Sequence, residues 1–278
     1  MFARLNSAAP RLAVYHKVLK RPHQYSRVAR TFSQKKNNVV ELIEDNGNVI
    51  GSVGLFGLWG ALLGYAVFLS PNQTPALDQY FLRKFLNLED DGVSINTVFT
   101  SLFYVMGLWP LIYTSLLIPA GMRKGLPVFP FVALSYAIGA FGLLPWMALW
   151  GPSTSDDGGP PNMPPGGQDV EGFKNSITRG MESPITAWGI LGGTLYCLWS
   201  AAVAGSGQWN DYLQLFSVSR FVHVTSIDFT TLCLLAPFWM ENDAKLRRWE
   251  GKDTLLPILA CFPVLGPALY LVLRPRSI

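Results

Sequence analysis

The sequence predicts an all-α membrane protein, a polytopic bundle of about six transmembrane helices, and three observations predict it. Of 278 residues, 50% are hydrophobic and only 14% charged, where an ordinary soluble domain carries roughly 25% charge. The mean hydropathy is +0.26. The apolar residues gather into six stretches near 20 residues long, the length of helix that a hydrocarbon core of about 30 Å requires. A water-soluble globule is therefore excluded. So is a disulfide-stapled secreted domain, because Cys197, Cys233 and Cys261 stand isolated.

The first 40 residues carry nine Lys/Arg and no acid, the first carboxylate being Glu41. A basic, acid-free, Ser-containing start is the composition of an organellar transit peptide, attracted to anionic lipid and to a negative-inside potential. Arg30-Thr31-Phe32-Ser33 resembles a mitochondrial processing pattern with the cut after Phe32. The expectation is a cleavable leader at 1–32, a basic and polar segment at 33–48 and a membrane domain at 49–278. The net charge of +4 resides in the leader and points to no nucleic-acid partner. Mitochondrion is expected ahead of plastid.

The six expected spans are Val49–Leu69, Thr97–Ile118, Val128–Trp150, Pro184–Val203, Phe221–Met240 and Leu255–Leu273. Each reads as helix because it is long and lacks strict alternation; a transmembrane barrel would alternate over about ten residues. The loop 70–96 holds a partly amphipathic stretch from Ala76 to Leu86. The loop 151–183, with its Gly/Pro runs, reads as a disordered linker. No repeat and no inverted pair of broken helices is visible. Six spans place the segments 33–48, 119–127, 204–220 and the C-terminus on one side. Seven basic residues lie there against eight opposite, so the positive-inside rule does not orient the chain.

In the first span Gly54, Gly57, Ala61 and Gly64 form one small-residue face, which allows close approach of a neighbouring helix. Gly189, Gly192 and Gly193 in the fourth span are candidate internal partners, and another membrane protein is the alternative. Pro110, Pro145, Pro237, Pro263 and Pro267 interrupt four helices, each freeing a carbonyl four residues earlier.

The fifth span carries the chemistry. Asp228 lies near its middle, where a carboxylate costs on the order of 2.5–3.5 kcal/mol on the insertion scale, so it must face protein or water. At 100° per residue, Thr225, Asp228 and Thr231 form one polar strip; Ser219, His223, Ser226 and Thr230 form another on the opposite side. A straight helix cannot unite His223 with Asp228, and one polar on both sides must lie centrally in the bundle. Asp228 reads as a buried structural carboxyl, an ionisable site in an ion path, or a contact to a cofactor or partner subunit. His223 beside Arg220 is a candidate pigment or haem ligand; the other histidines, His16 and His23, are in the leader, which excludes bis-His haem within the chain. No metal site, nucleotide loop or hydrolase motif is present, so no cofactor and no enzymatic activity are predicted.

The stretch from Phe221 to Thr230, continuing through Ala236-Pro237-Phe238-Trp239-Met240-Glu241-Asn242-Asp243-Ala244 to Arg247-Arg248-Trp249, resembles a segment of uncharacterised multi-pass membrane proteins of plastids and cyanobacteria. The resemblance covers the last quarter of the chain. It implies an organellar membrane protein and brings no activity with it. Glu241–Asp253, with four basic and four acidic residues, reads as a solvated hairpin.

The expected function is a non-enzymatic accessory or assembly component of a larger complex in the mitochondrial inner membrane, or alternatively a plastid thylakoid or envelope membrane. Its partners would be the lipid bilayer and other membrane subunits. Rival readings are a small-solute or ion transporter using Asp228 and a pigment- or haem-associated protein using His223.

Overall fold

The computed structural model describes residues 50–121, 127–150 and 173–276. The expected leader, the segment 33–48 and the Gly/Pro runs of the linker lie outside them. The packing described below lies within the compact unit Ser52–Ile278. Among the described residues all regular structure is helical.

Among the described residues four helices are long and apolar enough to cross a membrane: α1 (Ile50–Leu69), α3 (Thr97–Gly121, apolar through Ile118), α7 (Pro184–Val203) and α9 (Arg220–Leu246). They match four of the six expected spans. The last turn of α1, Tyr65–Leu69, is a π-helix. Between them lie α2 (Pro75–Phe85), α4 (Phe129–Ile138), α5 (Ala140–Leu149), α6 (Phe173–Glu182) and α8 (Gly205–Val218), followed by α10 (Lys252–Ala260) and α11 (Leu265–Leu273). Local signals set several starts. Ser183 caps α7 by accepting from Ile185 N–H, with Pro184 at the first position, and Ser219 caps α9 by accepting from Val222 N–H.

The two remaining expected spans do not cross as single helices. Val128–Trp150 is broken at Gly139, whose φ of +54° is open to glycine and strained for other residues. Helices α4 and α5 then lie side by side at the corner: a Cβ on Gly142 would sit 3.0 Å from the Ser135 backbone nitrogen. Leu255–Leu273 is broken at Cys261–Val264, with Val264 at φ +61°, and a Cβ on Gly266 would meet the Leu259 carbonyl at 1.8 Å. Each arm of nine or ten residues is about 15 Å long, half the hydrocarbon thickness.

Contacts fix the direction of these hairpins along α9. Ala140 meets Asp228, while further along α5 the Trp146 and Trp150 rings pack on Trp239 at 5.5 and 4.9 Å. Helix α5 thus returns toward the C-terminal end of α9. Helix α11 does the same, since Tyr270 and Arg274 both reach Asp243. Both hairpins enter from the end of the bundle where α3 and α9 finish, and turn back near the middle of the apolar stretch Phe221–Met240 of α9.

This arrangement replaces the expected order of loops. In a six-span chain the loops 70–96 and 204–220 lie on opposite sides. Here they are hydrogen-bonded: Gln73 N–H donates to Val218 O at 2.9 Å, and Ser219 Oγ donates to Asp78 Oδ1 at 2.6 Å. The loop 204–220 is itself mostly helix α8. The linker is helical over α6, because Ile177 packs on the main core and Glu182 is buried. The expected solvated hairpin 241–253 is also corrected, since α9 runs on to Leu246 and Asp243 and Arg247 are among the most buried residues described.

The main core joins α3, α4, α5, α7, α9, α10 and α11 around Trp109, Tyr113, Trp146 and Trp239. A second cluster packs α2 on α3 and α9 through Phe81, Phe99 and Val222, with Phe85 stacked on Phe103 at 3.8 Å. Outward, α1 exposes Val53, Phe56, Val67 and Phe68, and α7 exposes Trp188, Tyr196 and Trp199. In water such a surface would aggregate; in a bilayer it is the solvated face.

Candidate functional site

Helix α9 packs against α2, α3, α5, α8, α10 and α11, the central position that its two polar strips require. Asp228 is 7% exposed. Its Oδ1 accepts from the Ala140 backbone N–H at 2.7 Å. Ala140 opens α5, so the carboxyl caps the first turn of a half-helix from another element. The cap satisfies a donor that helix geometry leaves without a partner and sets an acidic group at the positive end of the helix dipole. The approach is possible because residue 139 is glycine: a Cβ there would stand 1.8 Å from Asp228 Oδ2.

A second interaction holds the same corner. Pro145 has no N–H, which frees the Phe141 carbonyl four residues earlier. Trp59 of α1 donates its Nε1–H to that carbonyl at 3.0 Å. One of the expected proline-freed carbonyls is thus used to tie α1 to the hairpin.

The rest of the polar strips are engaged locally. Thr231 donates to Ile227 O and Thr230 to Ser226 O, each at 2.9 Å. Ser226 donates to Val222 O at 2.6 Å and shares a bond with the Tyr212 hydroxyl. Thr225 is half-buried. His223 is buried, with its Nδ1 2.8 Å from Phe216 O and its Nε2 2.8 Å from the Tyr65 hydroxyl. A carbonyl only accepts, so Nδ1 donates; the ring also stacks on Phe216 at 4.2 Å. Metal or pigment ligation through either nitrogen would break one of these bonds. His223 and Asp228 bond different elements and form no dyad. Among the described residues no group of His, Cys, Asp and Glu is arranged to hold a metal ion.

The small-residue face of α1 has no described neighbour: no atom lies within 4 Å of a Cβ placed on Gly54, Gly57 or Gly64. Its opposite side packs on the core through Leu55, Trp59 and Leu62. The candidate internal partners do not meet it either, since Gly189 and Gly192 are likewise open and Gly193 faces Leu108 of α3.

Two further constellations emerge. Asp78 of α2 sits at the start of α9, accepting from Ser219 Oγ and, at 3.2 Å, from Phe221 N–H. At the other end of the bundle, Glu182, Asp243, Arg247 and Arg274 form a buried cluster whose side chains are at most 2% exposed. Arg247 donates to both Glu182 oxygens, to Asp243 Oδ2 at 2.8 Å and to Pro275 O at 2.7 Å. Arg274 donates to Asp243 Oδ2 and Ser115 O, each at 2.9 Å, and Tyr270 completes the set at Asp243. Burial lowers the Arg247 pKa, but the charges of Asp243 and Glu182 outweigh it and raise the value above the usual range. Among the described residues of the cluster, two cations balance two anions.

These features define a polytopic helical membrane protein with four helices able to span and two half-helix hairpins. No family model, curated protein or solved structure matches the chain.

Proposed function

We propose that this chain is a non-enzymatic accessory or assembly subunit of a larger complex in an organellar inner membrane. Its basic leader favours the mitochondrial inner membrane over a plastid thylakoid or envelope membrane. One observation carries the reading: the ionisable groups inside the bundle hold its own helices together, while the glycine side of α1 meets nothing among the described residues. Asp228 caps α5, His223 bridges α1 and α8, and the buried ion cluster ties α6 to the ends of α9 and α11. A small-residue helix face gains most from another helix approaching closely.

The test is a native gel of a tagged chain extracted in mild detergent, with mass spectrometry of the band. Wild type is expected to migrate in a large complex. A Gly57→Leu/Ala61→Leu chain is expected to accumulate normally, because nothing described lies against those positions, yet to migrate alone. Wild type migrating at monomer or dimer mass would defeat the reading.

A second reading is favoured by the meeting of a half-helix with Asp228 near the middle of the apolar stretch Phe221–Met240, an arrangement that transporters use for substrate and ion sites. Asp228→Asn keeps a carbonyl oxygen for Ala140 N–H but removes the ionisable group. For a transporter it should abolish flux at unchanged abundance; for the accessory subunit it should leave complex assembly intact.

A further inference from the structure

An apolar pocket of about 460 Å³ lies between α3, α7, α8 and α9. One wall is the first half of α3 from Val98 to Val105, opposite the end of α7 at Ala201. Its cover is α8, which turns Trp209, Tyr212, Leu213 and Phe216 into it, the i, i+3, i+4, i+7 spacing of one helix face. Its inner limit is Val264 at the corner of the α10–α11 hairpin. The pocket thus runs from the end of the bundle where α3 begins toward its middle, over about 10 Å of α3 at 1.5 Å per residue.

We propose that this pocket holds an acyl chain of a bilayer phospholipid, with the headgroup left outside at the α8 end. No charged residue lines it, so nothing there recognises an ionic ligand. Its hydroxyls are already used: Ser101 donates to Thr97 O at 2.9 Å, Thr230 to Ser226 O, and Ser226 to Val222 O while bonded to Tyr212. A ligand that demands hydrogen bonds would have to break these. A hydrocarbon chain demands none, and it passes from lipid to an equally apolar lining without losing a hydrogen bond. At on the order of 30 Å³ per methylene, near the share of one liquid water, the volume accepts the terminal half of one fatty-acyl chain, the length that the pocket's depth along α3 admits. The four spanning helices place this pocket in the medium that supplies such chains. The proposal concerns the α8 side of α9 and does not depend on the subunit reading, which rests on α1.

The experiment uses native membranes supplied with a phosphatidylcholine that carries a photoactivatable diazirine near the end of one acyl chain. After illumination, adducts are mapped by mass spectrometry of peptides. Residues 98–105, 209–216 and 226–230 are expected to carry several-fold more adduct per residue than the outward α7 positions Trp188, Tyr196 and Trp199. Ala201→Trp, and independently Leu198→Trp, fill the pocket and should cut its adducts at least fivefold with outer labelling unchanged. Pocket labelling no higher than on outer α7 would overturn the proposal, and this comparison needs no variant. Labelling undiminished by either substitution in a chain that accumulates normally would also overturn it. So would labelling that appears only after detergent extraction, because a protein segment would then occupy the pocket in the membrane.

Discussion

Asp228 and Asp78 do the same work at two depths. Each lies on one helix and caps the first turn of another, Asp228 on α5 and Asp78 on α9. A mid-span carboxyl is tolerated here because it answers a backbone donor that α5 cannot satisfy within itself. The requirement passes to Gly139, which must hold φ near +54° and present no Cβ to the carboxyl. Gly139→Ala is therefore expected to cost about 1–3 kcal/mol in backbone strain, and to displace Asp228 at a further cost of about 1–3 kcal/mol for the stranded Ala140 N–H. Thermal unfolding of the purified variants in detergent measures this. Asp228→Ala should reproduce the second part alone and Asp228→Asn very little of either; equal midpoints for all three would remove the cap from the account. The polarity of Asp228 and its separation from His223 were legible from 100° steps along a helix. Its partner was not, because a backbone N–H has no signature in residue type.

At the scale of elements, the four long helices were readable because length and composition decide them. The two hairpins were not. Val128–Trp150 and Leu255–Leu273 have the same length and apolarity as a span, and what folds them back is a pair of positive φ values. Gly139 could have raised the question, as could the proline-rich run Pro257–Pro267; Val264 gives no sign, being a β-branched residue in a conformation it rarely adopts. The ion cluster escaped for a different reason. Locally, Asp243 and Arg247 look like an i, i+4 pair on a solvated surface, and their burial depends on Glu182, 65 residues before Arg247, and on Arg274, 31 residues beyond Asp243. The cluster joins α3, α6, α9 and α11, which makes it the clasp of the hairpin end. Arg247→Met removes the cation shared by Glu182 and Asp243 and is expected to destabilise by about 3–5 kcal/mol, as when one partner of a buried pair is removed. Adding Glu182→Gln to that variant restores balance and should recover part of the loss, a non-additivity seen as a higher unfolding midpoint for the double variant than for Arg247→Met. A lower midpoint would mean the cluster acts through packing and not through charge.

The change from six spans to four with two hairpins alters what the charges say about the whole molecule. Counted over six spans, the basic residues divide seven against eight and orient nothing. With both hairpins entering from the clasp end, the described residues divide differently. Lys174, Arg179, Lys245, Arg247, Arg248, Lys252, Arg274 and Arg276 belong to that end, and only Arg83, Lys84 and Arg220 to the α8 end. Eight against three is an asymmetry on which the positive-inside rule acts. In the proposed organellar membrane this asymmetry predicts the clasp end on the matrix or stroma side and the pocket mouth, with α2 and α8, on the opposite surface. Single cysteines at Glu89, Arg179 and Ser217, read with an impermeant maleimide in sealed organelle-derived vesicles against the background of the three native cysteines, test both the topology and its direction. The four-helix arrangement expects positions 89 and 217 to react together and position 179 from the other side. A six-span chain pairs 89 with 179 and sets 217 apart. That outcome would contradict the hydrogen bonds joining Gln73 to Val218 and Asp78 to Ser219, because no chain can hold those contacts with its two loops on opposite faces of a bilayer.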